Sequence, residues 1–508
     1  MHWLGIIPLT MKLEPFASPL IAVALILLST SVPLLGAQQP DPLQTAARTL
    51  GVAGIRSIQF SGSGTNFTVG QAFTAGGDWP PVKVNSFTAA INYTARSMRV
   101  ELVRTMLSPI PRGGGAAFQG EQRQMQVLNG NFAWNVAAAV GGVVPDPVAL
   151  AAPIVLERKS FLWATPHGFV KAAQAGNATN HAVGANTEVS FQIDEKYRVT
   201  GIINPQGLVE RIRYVIDNPV LGDMPVEIAF SGYRDFGGVQ FPSRLLQTQG
   251  GHPSLELNIT SVVANPTVEI ISPESVLNPG PAPAIQVTSQ QVAPGVYYLT
   301  GGSHHSVAIE MRDHVVVVEG PQSEVRGLAV VAKVKELIPN KPIRYVVNTH
   351  VHFDHSGGLR PFIDDGAAVV THRSNRNYFD EAWTAPRTIN PDKLSLSRRR
   401  PVFMAVDDRG LLSDGARTIE LHRILNDVHN DGIIMAYLPI ERILIEADAY
   451  TPTAVSTPPP ATPSPFTVAL ADNIKRLNLD VAQILALHGP RVTTLADLNT
   501  AIGRSAAP

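Results

Sequence analysis

The stretch Asn348-Thr349-His350-Val351-His352-Phe353-Asp354-His355-Ser356-Gly357-Gly358 places three imidazoles and a carboxylate directly behind the apolar run at 343–347. A short apolar run bounded by polar residues reads as a buried strand, so the cluster falls where a strand leaves its sheet. Residues two apart on an extended segment face the same way. His350 and His352 therefore aim at one point, and Asp354 and His355, adjacent in the following turn, aim at another. The chain has no cysteine, which excludes disulfides and thiolate ligands. Any cation held here is held by nitrogen and oxygen, a set that suits zinc and also admits Mn or Fe.

Four ligands do not complete two sites, and the later sequence offers more at predicted strand ends. His429 lies in Asn426-Asp427-Val428-His429-Asn430-Asp431-Gly432, just before the apolar run at 433–438. Asp448 ends the run at 442–447, and His488 ends the run at 483–487 in Leu487-His488-Gly489-Pro490.

With these residues in order, the chain from about residue 285 onward resembles a metallo-β-lactamase-fold hydrolase. The resemblance implies a four-layer αββα sandwich with its site at one edge of two sheets. It implies that His350, His352 and His429 hold one zinc ion, that Asp354, His355 and His488 hold a second, and that Asp448 bridges them. Asp354 is then the expected proton carrier, and the reaction is attack by an activated water on an ester-like carbonyl of the lactone or thioester class. The aspartate at 448 implies that preference, because relatives that hydrolyse β-lactams usually lack it; a β-lactam-hydrolysing enzyme is the alternative. Expected substrate contacts are His304 and His305, between two predicted strands, and Tyr450, which on an extended chain faces the same side as Asp448.

At 508 residues the chain is too long for one ordinary core, and its rhythm changes midway. From Gly54 to about Val263 the pattern has period two, as in Val226-Glu227-Ile228-Ala229-Phe230 and Leu255-Glu256-Leu257-Asn258-Ile259, which predicts a mostly antiparallel sheet domain with one wet face over 38–270. Turns are expected at Asn204-Pro205-Gln206-Gly207 and Gly237-Gly238, with a covering helix over 147–161. The meander at 191–241 resembles the half-open sheet of bacterial outer-membrane lipoprotein carrier proteins. That makes an apolar-ligand-binding protein with an accessory metal domain a second reading. A proline-rich stretch over 271–284 is expected to be a stiff, extended linker, leaving 285–508 as the metal domain, in which strands mix with helices over 323–337 and 467–477. The irregular stretches at 388–400 and 451–465 read as lids or rims.

Residues 1–37 read as a signal peptide, with Lys12 ahead of the uncharged apolar stretch at 20–35 and Met11 an alternative start. A periplasmic or secreted protein is expected. A retained anchor is the lesser alternative, because the apolar stretch is shorter than the ~20 residues a span needs. The net charge of −1 supplies no field for nucleic acid. The expected partner is a small-molecule substrate, and the oligomeric state is left open.

Overall fold

The computed structural model describes residues 41–110, 112–115, 117–138, 144–194, 197–281, 284–454 and 462–504. The expected signal peptide lies outside the described residues. Among the described residues, no helix is long and apolar enough to cross a membrane.

Residues 57–264 build one twelve-stranded sheet in which every pairing is antiparallel. Its first strands are β1 (Ser57–Phe67), β2 (Pro81–Asn92), β3 (Ser97–Met106) and β4 (Gln122–Asn129). The last strand, His252–Ala264, pairs with β1, so the two ends of the meander close on each other mid-sheet. The alternation in sequence is the alternation in burial: Val226, Ile228, Phe230, Leu255, Leu257 and Ile259 are in the core, whereas Glu256 and Asn258 face water.

Helices Ala152–Trp163 and Pro166–Ala175 cover the apolar face, with Leu162, Phe169 and Val170 in the same core as Phe60 and Ile212. The expected helix over 147–161 is thus corrected at its start, which waits for Ala151 in extended conformation with a proline in the first turn. The second helix was not anticipated; Thr165 caps it by accepting from the Gly168 amide.

The proline-rich stretch also differs from expectation. It contains a helical turn, Glu274–Leu277, whose Val276 is buried against Val127 and Trp134. Hydrogen bonds from Asn129 to the Ile270 carbonyl and the Ser272 hydroxyl help fasten it to the sheet.

From Thr288 onward the chain forms a seven-stranded and a five-stranded sheet. Their facing sides share a core that includes Val296, Ile309, Val318, Leu421, Ile445 and Leu485. Helix Glu324–Leu337 covers the outer face of the first sheet, with Val330 and Val334 packed on Val317 and Val346. Helix Pro465–Arg476 covers the outer face of the second, with Leu470 and Ile474 against Leu444 and Ile484. The order of layers is αββα. Strand Val315–Val318 is buried on both faces, which is why it reads as an unbroken apolar run.

The stretch at 388–400 is not a free lid. Asp223 of the twelve-stranded sheet accepts from the Thr388 amide at 2.9 Å, the Thr388 hydroxyl at 2.6 Å and the Ile389 amide at 3.2 Å. Arg387 donates to the carbonyls of Asn218, Pro219 and Val220. Polar residues that read as a solvated loop are therefore the clasp between the twelve-stranded sheet and the sandwich. Asp223→Ala removes the acceptor and leaves the Thr388 donors to water, so it is expected to lower stability by about 0.5–1.5 kcal/mol, measured by urea denaturation; an unchanged midpoint would show that the clasp contributes nothing.

Candidate metal centre

Strand Ile343–Val347 delivers residues 348–355 to the edge of the two sheets. In its continuation Asn348, Thr349, His350, His352 and His355 are buried, whereas Phe353 and Asp354 are half-buried. A single helical turn, Phe353–Ser356, then reverses the direction of the chain. His429 is held in the loop before strand Ile434–Leu438 by Asp427, whose carboxylate accepts from the amides of His429 and Asn430. Asp448 follows strand Ile443–Glu446, and His488 follows Gln483–Ala486.

The structure brings all seven expected ligands together. One ligand atom from each of His350, His352, His429 and Asp448 lies within 4.8 Å of the others, and the same holds for His304, Asp354, His355 and His488. Asp448 stands between the groups: Oδ2 is 3.1 Å from His429 Nε2, while Oδ1 is 2.7 Å from His355 Nε2 and 3.5 Å from His488 Nε2.

The hydrogen bonds around the ring determine which nitrogen each imidazole turns inward. His429 Nδ1 donates to the Gly114 carbonyl at 2.7 Å, turning Nε2 inward. Thr349 gives its hydroxyl hydrogen to Glu319, so its oxygen accepts from His350 Nδ1 at 3.0 Å and His350 Nε2 is bare. The two inward nitrogens lie 3.1 Å apart, and although burial works against charge at His429, Asp448 at 3.1 Å from its Nε2 raises that imidazole above its ordinary value. His352 Nε2 donates to the Ala72 carbonyl at 2.9 Å, leaving Nδ1 buried without a partner. His355 Nδ1 donates to Glu319 at 3.1 Å, while Nε2 and Asp448 Oδ1 meet without hydrogen-bond alignment. Electron pairs converging in a buried space are costly unless a positive charge lies among them. The donor set of nitrogen and oxygen fits divalent metal, and the residues could hold it in the two groups that Asp448 joins.

Electrostatics agrees. Burial pushes the His352 imidazole down to about 3 and that of His488 down to about 4, so both are neutral ligands at neutral pH. Burial also depresses His350, and the neighbouring His355 and His352 add to the effect. Burial works against charge at His355 too, but Asp448 and Glu319 override it and raise that imidazole well above its ordinary value. For Asp354, burial opposes the charge, yet the hydrogen bond from His304 and the nearby His355 keep the carboxyl below the usual range.

Of the expected substrate contacts, His304 joins the cluster, 3.2 Å from Asp354 Oδ2. His305 points away: its Nε2 meets the Gly489 carbonyl at 2.7 Å and its ring stands edge-on to Tyr298. Tyr450 is buried beneath the second sheet, with its amide bonded to Glu446 and its hydroxyl to Thr493.

Sequence reasoning missed Glu319, a fully buried carboxylate that accepts from Asn348, Thr349 and His355. Its signal was an acid closing the all-valine strand Val315–Val318, with nothing to offset its burial locally. It also missed Gln71, whose amide donates to Asp354 Oδ1 at 2.8 Å from far upstream.

Ligation requires the raised His355 imidazole to give up its proton. Zinc added to metal-free protein in weakly buffered neutral solution is therefore expected to acidify it, with affinity falling as pH is lowered through that group's titration. Competition against a chelator across a pH series checks this, and a flat profile would contradict it.

The chain was compared with known proteins. Residues 299–479 match the family model described as the metallo-beta-lactamase superfamily. A curated relative, the 2,4-dinitroanisole O-demethylase subunit alpha of Nocardioides sp. (strain JS1661), is 25% identical over 178 residues, covering 33% of this chain and 49% of that protein. The chain thus spans about half the length of the curated relative it matches. Similar solved structures include a metallo-beta-lactamase from Pontibacter korlensis, at 16% identity and TM-score 0.33 over 43% of this chain and 98% of that one. Another is a metallo-beta-lactamase from Hirschia baltica, at 19% identity and TM-score 0.32 over 42% and 95%. The αββα layers and the His/Asp cluster at one sheet edge agree with the match of residues 299–479 to the metallo-beta-lactamase superfamily model, so this region has the metallo-β-lactamase fold.

Proposed function

We propose that the chain is a metal-dependent hydrolase that binds two divalent ions, zinc foremost, and cleaves an ester-like carbonyl substrate of the lactone or thioester class. The observation that carries this reading is Asp448, one oxygen of which faces each ligand group. His350, His352 and His429 hold one ion and Asp354, His355 and His488 the other. Such ions supply Lewis acidity and lower the pKa of a bound water to about 7.

The chain's own residues supply orientation and proton handling. Glu319 fixes the His355 ring through Nδ1 and, through Thr349, that of His350. Asp354 accepts from Gln71 at one oxygen and meets His304 at the other. His304 Nε2, beside Asp354 Oδ2, holds the carboxylate ionised, the state in which it can accept a proton from the attacking water. His350, His352, His355 and His429 are buried, whereas Asp354 and His488 are partly exposed, so the site opens to solvent and substrate on their side.

The similarity to the 2,4-dinitroanisole O-demethylase subunit alpha adds an activated aryl methyl ether to the substrates worth testing, and β-lactams remain the alternative. The apolar stretch at 20–35 supports an exported enzyme, for which N-terminal sequencing of the mature protein is the test.

Metal analysis of the purified chain, together with turnover on lactones, thioesters, cephalosporins and 2,4-dinitroanisole, tests the reading. Expected are about two zinc ions per chain and turnover on a lactone or thioester that His352→Ala abolishes. Tightly bound metal with no turnover on any substrate would defeat it. Turnover of cephalosporins alone would transfer the assignment to β-lactams.

A further inference from the structure

We infer that the twelve-stranded sheet is a working part of the metal centre, with its β1–β2 and β3–β4 loops holding the ligands and Gln71 acting as a positioning residue for Asp354. This rests on the metal reading above and adds to it the half of the chain that carries no ligand motif.

Four successive carbonyls of the β1–β2 loop are spent on this site. Gly70 accepts from the amide of Phe353, and Gln71 from that of Gly114. Ala72 accepts from His352 Nε2 and the Asn430 side chain, and Phe73 from the amide of Asp431. From the β3–β4 loop, Gly113 donates its amide to Val428, and the Gly114 carbonyl accepts from His429 Nδ1. Two ligand imidazoles thus take their inward-facing nitrogen from sheet carbonyls about 280 and 315 residues away along the chain. A ligating imidazole needs its second nitrogen held to fix tautomer and ring plane. His350 and His355 get this from Thr349 and Glu319 within the sandwich; His352 and His429 get it from the sheet.

The loops are shaped for close approach. Gly70 and Gly113 both lie at positive φ, +79° in each case. A Cβ on Gly70 would meet the Phe353 ring at 2.4 Å, and one on Gly113 would meet the Gln71 carbonyl at 2.7 Å and the Phe73 amide nitrogen at 2.8 Å. Gln71 supplies a side-chain donor, at 2.8 Å from Asp354 Oδ1, opposite the oxygen that His304 meets. The sheet therefore orients a ligand of each proposed ion: His352 and His429 in one group, Asp354 in the other.

Two full-length variants test this. Gln71→Met keeps the bulk and removes the donor. Gly113→Ala leaves every ligand in place but displaces the Gly114 carbonyl. Zinc affinity is read by chelator competition. The ring nitrogens of the zinc-free protein are read by long-range ¹H–¹⁵N spectra at alkaline pH, where the imidazoles are neutral. Gln71→Met is expected to weaken one of the two zinc ions about 10- to 100-fold with the melting temperature unchanged. Gly113→Ala is expected to turn the single Nδ1–H tautomer of His429 into a mixture. Should Gly113→Ala fail to fold, Gln71→Met decides alone. Wild-type affinity and ring spectra in the variants would overturn the sheet's role, whereas wild-type protein that takes up no zinc would overturn the metal reading itself.

Discussion

Six imidazoles and two carboxylates directed into one small space at the edge of two sheets are the constraint on which the rest of the structure depends. Lone pairs of His350, His352 and the carboxylates converge there, and the raised imidazoles of His355 and His429 offset part of a repulsion that burial leaves only weakly screened. The arrangement persists because each group is pinned from behind. Glu319 is the clearest case, since one buried carboxylate receives Thr349, His355 and Asn348 and thereby sets two ligand rings. A site built this way is preorganised for positive charge before any arrives.

Pinning from behind needs mass on every side, and the fold supplies it in two ways. The two sheets of the sandwich meet on a shared apolar core, so their strand ends hold still relative to each other. The twelve-stranded sheet closes the remaining side with two glycine-bearing loops, and Asp223 and Arg387 clasp it to the sandwich at a separate point. An apolar-ligand carrier with an accessory metal domain would have no use for carbonyls aimed at His352 and His429. The two halves touch where the chemistry is.

Much of the sandwich was legible because its signals are local. Strand Ile343–Val347 is predicted to the residue, since Ile343, Val346 and Val347 are buried and the run is bounded by polar residues, Arg344 being its one exposed member. The motif at 350–355 is legible because its ligands are neighbours in sequence. Period two gave away the antiparallel sheet. The helix Pro166–Ala175 escaped because His167 and Gly168 interrupt its apolar spacing, although both are buried. Tyr450 was placed near Asp448 by strand spacing, but the chain bends after Glu446, and the ring turns into the core.

What the sequence by itself determined is the inventory: which residues can ligate, that no sulfur is among them, and which strands carry them to a sheet edge. Side-chain type and periodicity encode these directly. What only the tertiary structure decided is the pairing of those residues with their supports. Ala72 and Gly114 act through main-chain carbonyls, which every residue possesses, so no side-chain pattern marks them. Glu319 and Gln71 are remote from the ligands they hold, and their roles exist only once the strands and loops have met. The physical reason is that a hydrogen bond is specified by geometry over a few ångströms, and the chain brings these partners to that distance only by folding.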